Sequence, residues 1–237
     1  MLISLSTGSI YKWTKNFDDL LDICRGGIKI NGIEIMLANG QILEKFSINS
    51  KNVKWLRALS HVTLHAPVSI LKEAYGDMAL VGKQLKILED IYNIVKAKAV
   101  IFHVTSIPEY GILREFNFKF IIENTTLKGN VDIHSFYQRL EEYRADMCLD
   151  VSHSFTWSSK EAEKYNIKFK DKIFQIHLSA SSGGHEHLPL SASGDTFKES
   201  IKFLKNINKP IIIESDYNNN NLEFLCKDIN FLFDLMK

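Results

Sequence analysis

The sequence predicts a single (β/α)8 barrel over residues 1–237. Eight short apolar runs of four to six residues recur along it. Nearly continuous apolar character marks strands that are covered on both faces. Segments with helical spacing lie between the runs, and strand–helix alternation implies βαβ units around a parallel sheet. No low-complexity linker interrupts the repeats, and eight of them suffice to close a barrel.

The runs are LISLS at 2–6, GIEIM at 32–36, VTLHA at 62–66, AVIFHV at 99–104, FIIEN at 120–124, MCLDV at 147–151, IFQIHL at 173–178 and PIIIES at 210–215. Most are rich in Val, Ile or Phe, which suits a pleated, covered surface. The clearest helical segment is 76–97, where Leu80, Leu85, Leu88, Ile91, Ile94 and Val95 recur at three and four. Others are 131–143, 195–205 and 221–236, the last with Leu222, Leu225, Ile229, Leu232 and Phe233 on one face. The connection 104–118 has the weakest periodicity and predicts only a turn or two of helix. The polar run Asn218 to Asn221 is expected to be the loop leaving the last strand.

The charge is balanced, with 29 basic and 28 acidic residues, so the total shows no strongly basic nucleic-acid footprint. The cysteines Cys24, Cys148 and Cys226 are scattered, with no CxxC pair and no disulfide framework. No signal-peptide pattern and no run of membrane-spanning length is present. A reduced, cytoplasmic protein without a membrane partner is expected; the oligomeric state is left open.

The runs share a feature at their C-terminal ends. His65 closes the third, His103 the fourth and Glu123 the fifth. Asp150 closes the sixth, with His153 three residues on; His177 closes the seventh, with His185 and His187 in the loop behind it; Glu214 closes the eighth. In a parallel barrel all these ends meet on one rim, where active sites assemble. Imidazole nitrogen and carboxylate oxygen are the donors that zinc and manganese take. A lone histidine at a strand end is more often a hydrogen-bonded core residue. Here six of the eight histidines and three carboxylates repeat in one phase, and burying them together calls for cations. His61 and His134 fall outside the pattern and are expected to be surface or structural.

The order of these groups resembles the endonuclease IV group (AP endonuclease family 2) of the xylose-isomerase-like TIM barrels. The resemblance runs from position 65 to 214, and its most specific pieces are LHAP at 64–67, LDVSH at 149–153 and HEHLPL at 185–190. It implies a metal-dependent phosphoester hydrolase that cuts the DNA backbone at abasic sites, holding up to three zinc ions, with manganese as the other candidate. By position, Glu123, Asp150, His177 and Glu214 would hold one metal. His65 and His103 would hold a second, bridged by Glu123, and His153, His185 and His187 a third. Glu123 and Glu214 would be the catalytic carboxylates. The chain departs from that family at His185, where an Asp is usual, at SASG (191–194), where a Gly-Glu-Gly turn is common, and at Val68, where DNA-cutting members often carry Tyr.

The same superfamily includes sugar isomerases and epimerases that use a single metal. Glu123, Asp150, His177 and Glu214 match that quartet too, and Glu34 in GIEIM and the Glu123–Asn124 pair resemble that branch. On this alternative, Glu123 and Glu214 act as opposing acid and base on a small sugar or sugar phosphate, and His65, His103 and His153 contact it. A metal-holding barrel without catalysis is the third reading. Tyr11, Trp13 and Trp157 are expected to pack in loops, with stacking on a ligand ring as the alternative. Asp216 and Tyr217 are candidate supports behind Glu214. Ser179, Ser181 and Ser182, with Gly183 and Gly184, are candidate lid residues. Arg57, Lys72 and Arg114 are candidate rim cations.

Overall fold

Alternation within each strand shapes this barrel. The computed structural model describes residues 2–68, 70, 76–183, 185–217 and 222–235. Lys72, Gly184 and the Asn218 to Asn221 run therefore lie outside the described residues. Eight parallel strands close on themselves: β1 (Ile3–Ser6), β2 (Gly32–Met36), β3 (His61–His65), β4 (Val100–His103), β5 (Phe120–Glu123), β6 (Asp146–Asp150), β7 (Ile173–Leu178) and β10 (Ile211–Ile213), with β10 pairing back onto β1. The expected (β/α)8 architecture is the one found.

One phase of each strand is apolar and packs outward against the helices, including Ile3, Leu5, Ile33, Ile35, Val62, Leu64, Val100 and Phe102. The other phase faces the lumen and is largely polar. Side chains from strands that do not pair meet there, as where Gln175 of β7 hydrogen-bonds Glu34 of β2 and His61 of β3. A small apolar floor of Ala99, Ile101, Ile121 and Cys148 completes the interior.

The long helix spans Met78–Val95 and buries Val81, Leu85, Leu88, Ile91 and Val95 at three- and four-residue spacing. Ile94, expected on that face, is exposed. Asp77 caps its first turn by accepting from Ala79 and Leu80 N–H, and Lys96 stops it in the left-handed region at φ 55°. The C-terminal helix, Leu222–Leu235, buries Leu225, Asp228, Ile229 and Leu232, while Leu222 and Phe233 point outward. The 195–205 segment divides into an α-helix at Asp195–Ser200 and a 3-10 helix at Lys202–Asn206. Between β4 and β5 only Tyr110–Leu113 is helical. Three helices without a strong sequence signal also occupy the outer ring, at Phe17–Gly27, Ser50–Ala58 and Glu161–Phe169. Beyond β7 the chain forms an antiparallel hairpin, β8 (Ala180–Ser182) and β9 (His185–Leu188), where a loop was expected. Among the described residues no helix is long and apolar enough to cross a membrane.

Gly32 opens β2 where three strands crowd. A Cβ there would overlap the His61 carbonyl oxygen and Ser4 Oγ. Backbone cannot yield as a flexible side chain can, so Gly32→Ala is expected to destabilise the barrel by about 1–3 kcal/mol in denaturant unfolding. An unchanged midpoint would contradict this packing.

Candidate metal centre

The parallel register sets the level of the strand-end groups. His103 pairs across from Glu123, and Asp150 from His177. Glu214 follows β10 directly, held by its N–H on the Leu178 carbonyl at 3.1 Å. The ligand-competent atoms fall into three groups: His65, His103 and Glu123; Glu123, Asp150, His177 and Glu214; and His153, Glu186 and His187. Within each, one donor atom per residue lies within 4.8 Å of the others. Glu123 belongs to two groups and is buried at the centre. Its Oε2 lies 3.1 Å from His65 Nε2 and 3.2 Å from His103 Nε2. Its Oε1 lies 3.3 Å from His177 Nδ1 and 3.4 Å from His153 Nδ1.

Several of these rings have one nitrogen engaged away from the cluster. His65 Nδ1–H donates to the Ala66 carbonyl at 2.9 Å, leaving Nε2 for the site. His153 Nδ1–H donates to the Asn124 carbonyl at 2.9 Å, and His187 Nδ1 sits 3.2 Å from the Glu214 carbonyl oxygen. His177 is turned the other way: its Nε2–H donates to Glu34 Oε2 at 3.0 Å, so Nδ1 faces Glu123 and Glu214. An outward hydrogen bond of this kind fixes the tautomer of a ligating histidine and raises its basicity. Glu34 is steadied in turn by Thr63 Oγ1 at 3.0 Å and Gln175 Nε2 at 2.8 Å. Asp150 caps the short helix Val151–Phe155 with Oδ1, which accepts from His153 N–H at 2.6 Å and Ser152 Oγ at 2.8 Å.

Burial and charge oppose each other throughout the site. Burial disfavours charge on His65, but the Glu123 hydrogen bond and the nearby carboxylates outweigh it and hold the ring at about 9. His177 is raised for similar reasons, with the carboxylates overcoming burial. His103 goes the other way, pushed down to about 3 by burial and the surrounding imidazoles, against the pull of Glu123. Burial would raise both Glu123 and Glu214. The imidazoles overcome it at Glu123, which is held well below the carboxylate range, while Glu214 stays raised despite His177.

A divalent cation fits these groups. Asp150 Oδ2 and Glu214 Oε1 are buried acceptors with no hydrogen-bond partner, and they belong to the same quartet. An unsatisfied buried oxygen is costly, and a cation would satisfy both. Mixed imidazole and carboxylate donors suit zinc, and manganese also takes them.

Eight of the nine residues singled out in the sequence enter these groups: His65, His103, Glu123, Asp150, His153, His177, His187 and Glu214. His185 is exposed and outside them, and Glu186 stands with His153 and His187 instead. Strict alternation would put His185 and His187 on one face. His187, however, adopts φ 59°, which breaks that alternation. His61 is buried, with Nε2 on Gln175 Oε1 at 2.9 Å, and is structural. His134 is exposed and lies against Gln138. Trp13 and Trp157 pack in loops, donating to the Tyr217 and Thr125 carbonyls. Asp216 pairs with Lys12, and Tyr217 donates to buried Asp228. The support from Thr63 and Gln175 carried no sequence signal, because polar side chains inside apolar runs do not announce a partner across the lumen.

A cavity of about 740 Å³ opens beside the cluster. His65, His103, Glu123, His153, His187 and Glu214 form one wall, and the loops after β1 and β2 form the other.

No protein-family model matches the chain, and no curated protein matches it. Solved structures do. A D-tagatose 3-epimerase-like protein superposes with a TM-score of 0.70 at 17% identity, covering 100% of this chain and 97% of that one. Endonuclease IV from Thermus thermophilus does so at 0.65 and 13%, covering 100% and 99%. The IOLI protein with a bound zinc atom does so at 0.69 and 14%, covering 100% and 98%. The chain thus shares its (β/α)8 fold with structures named for an epimerase, a dehydratase and an endonuclease.

Elemental analysis of protein purified without a chelator or a His-tag should find two or three divalent ions per chain, following the three ligand groups. Glu34→Gln should weaken metal binding roughly 10–100-fold with the barrel intact, because His177 loses its carboxylate partner. Unchanged affinity would contradict the orienting role of Glu34.

Proposed function

We propose that this barrel is a metal-dependent phosphoester hydrolase with a multinuclear site of the endonuclease IV kind, zinc being the first candidate metal and manganese the second. The observation that carries this reading is the sharing of Glu123 between two ligand groups with a third beside them. A one-metal isomerase needs only Glu123, Asp150, His177 and Glu214. It does not need His65 and His103 as further ligands around Glu123, nor the separate ligand group of His153, Glu186 and His187.

Bound divalent ions would supply Lewis-acid charge at the phosphoryl oxygens and make a water more acidic. The chain's own groups have distinct roles around them. Glu123 stays anionic and spans two ligand groups. Glu214 stands on the cavity wall at the edge of the quartet, so its carboxylate can take a proton from the attacking water and pass it on. The water oxygen ends on phosphorus, the ester P–O bond breaks, and the leaving oxygen takes up a proton. Abasic DNA and small phosphoesters both belong to this substrate class.

One observation favours a sugar isomerase or epimerase instead. Glu123 Oε1 and Glu214 Oε2 approach the same His177 Nδ1, at 3.3 Å and 3.2 Å, as paired carboxylates do in acid–base work at one carbon. Barrels named for both chemistries superpose on this chain, so the fold does not choose between them.

The test is hydrolysis by the zinc- or manganese-loaded protein of an abasic duplex and of bis(4-nitrophenyl) phosphate. Glu214→Gln is expected to lower kcat by about 10²–10⁴-fold with most of the metal retained. No hydrolysis of either substrate, together with solvent deuterium entering a ketose, would replace this reading with the isomerase.

A further inference from the structure

We infer that the substrate is a small phosphoester carrying an apolar ring, seated in the chamber between the loops after β1 and β2, and not a duplex backbone. This rests on the hydrolase reading and names its substrate class. The cavity's 740 Å³ lies in the usual range for small-molecule sites, roughly 300–1,000 Å³. Its metal-group wall leads directly into an apolar one formed by Phe17, Leu20, Met36, Ile42 and Val68. Three apolar or aromatic lining residues stand open to solvent: Tyr11 at 57%, Ile42 at 46% and Val68 at 43%. Exposed apolar groups gathered around one concavity mark a surface that a ligand covers.

Hydrogen bonding in the chamber points the same way. Several of its polar side chains are engaged within the protein, with Asp216 Oδ1 a buried exception. Thr7 Oγ1 accepts from Met36 N–H at 2.9 Å, Asn39 Oδ1 from Ile42 N–H at 2.9 Å, and Ser9 Oγ donates to the Ile213 carbonyl at 3.1 Å. A sugar ring would bring several hydroxyls into a wall with few groups held ready for them, and unpaired hydroxyls oppose binding. An apolar ring brings none. A DNA duplex would need a row of Lys and Arg against its phosphates. Among the described residues lining the cavity, Lys15 is the one lysine or arginine, far short of such a row.

The experiment measures binding of inorganic phosphate, methyl phosphate and phenyl phosphate to the zinc-loaded protein by calorimetry. It uses the wild type and an Ile42→Asn, Val68→Asn double variant, with zinc content determined for both. Both positions are solvent-exposed, so the substitutions spare the core. Phenyl phosphate is expected to bind at least about tenfold more tightly than methyl phosphate. The double variant should lose most of that preference while keeping its zinc and its affinity for inorganic phosphate. Equal binding of the two esters, a preference that survives in the double variant, or an abasic duplex that outcompetes phenyl phosphate would each overturn the chamber assignment and leave the hydrolase reading standing. Failure of inorganic phosphate to bind the loaded protein would overturn the hydrolase reading, and this inference with it.

Discussion

The site is organised around one buried carboxylate. Glu123 ends β5 at the centre of the rim and is 1% exposed, with imidazole nitrogens from β3, β4, β7 and the short helix after β6 within 3.4 Å. A carboxylate in that position is tolerable only with positive charge or donors around it. The neighbouring imidazoles and the cations they could help to hold meet that requirement in the same space. The register of the strands, the outward hydrogen bonds of the histidines and the capping geometry of Asp150 all aim donors at the same small volume.

The lumen beneath the rim supports this arrangement. Glu34, Thr63, Gln175 and His61 form a buried polar layer where barrels of this kind more often stack branched apolar residues. Such a layer is justified only if its members satisfy one another. Here they do so nearly completely: of these four side chains, Glu34 Oε1 is the buried atom without a partner. The layer connects the floor of the barrel to His177 through Glu34, so the orientation of a rim histidine depends on packing several residues deeper. The outward phase of the same strands carries the apolar burial that stabilises the barrel, which frees the inner phase for chemistry.

The barrel and most of the rim were legible in the sequence because both follow from period-two geometry. Each apolar run became a strand, and the residues closing the runs met on one rim. Helix faces were legible where spacing was strong, as at Leu85, Leu88 and Ile91. They were misjudged at Ile94, Leu222 and Phe233, where an apolar residue sits just off the buried stripe. Asp228 shows the converse. This buried acid on the last helix accepts from Leu190 and Ser191 N–H, Ser215 Oγ and Tyr217 OH, tying down both segments beside His187 and Glu214. Nothing in its local pattern announces that role, because its partners are far away in sequence. Glu186 was hidden for a backbone reason, the left-handed turn at His187.

Sharing of Glu123 between adjacent divalent ions would leave a direct trace in diffraction. Anomalous diffraction at the zinc edge, from crystals grown with zinc and without chelator, tests it most directly. Separate peaks are expected, two of them each about 2.0–2.2 Å from a different Glu123 oxygen, and a further peak among His153, Glu186 and His187. A single peak held by Glu123, Asp150, His177 and Glu214, with His65 and His103 still hydrogen-bonded to the Glu123 carboxylate, would contradict it.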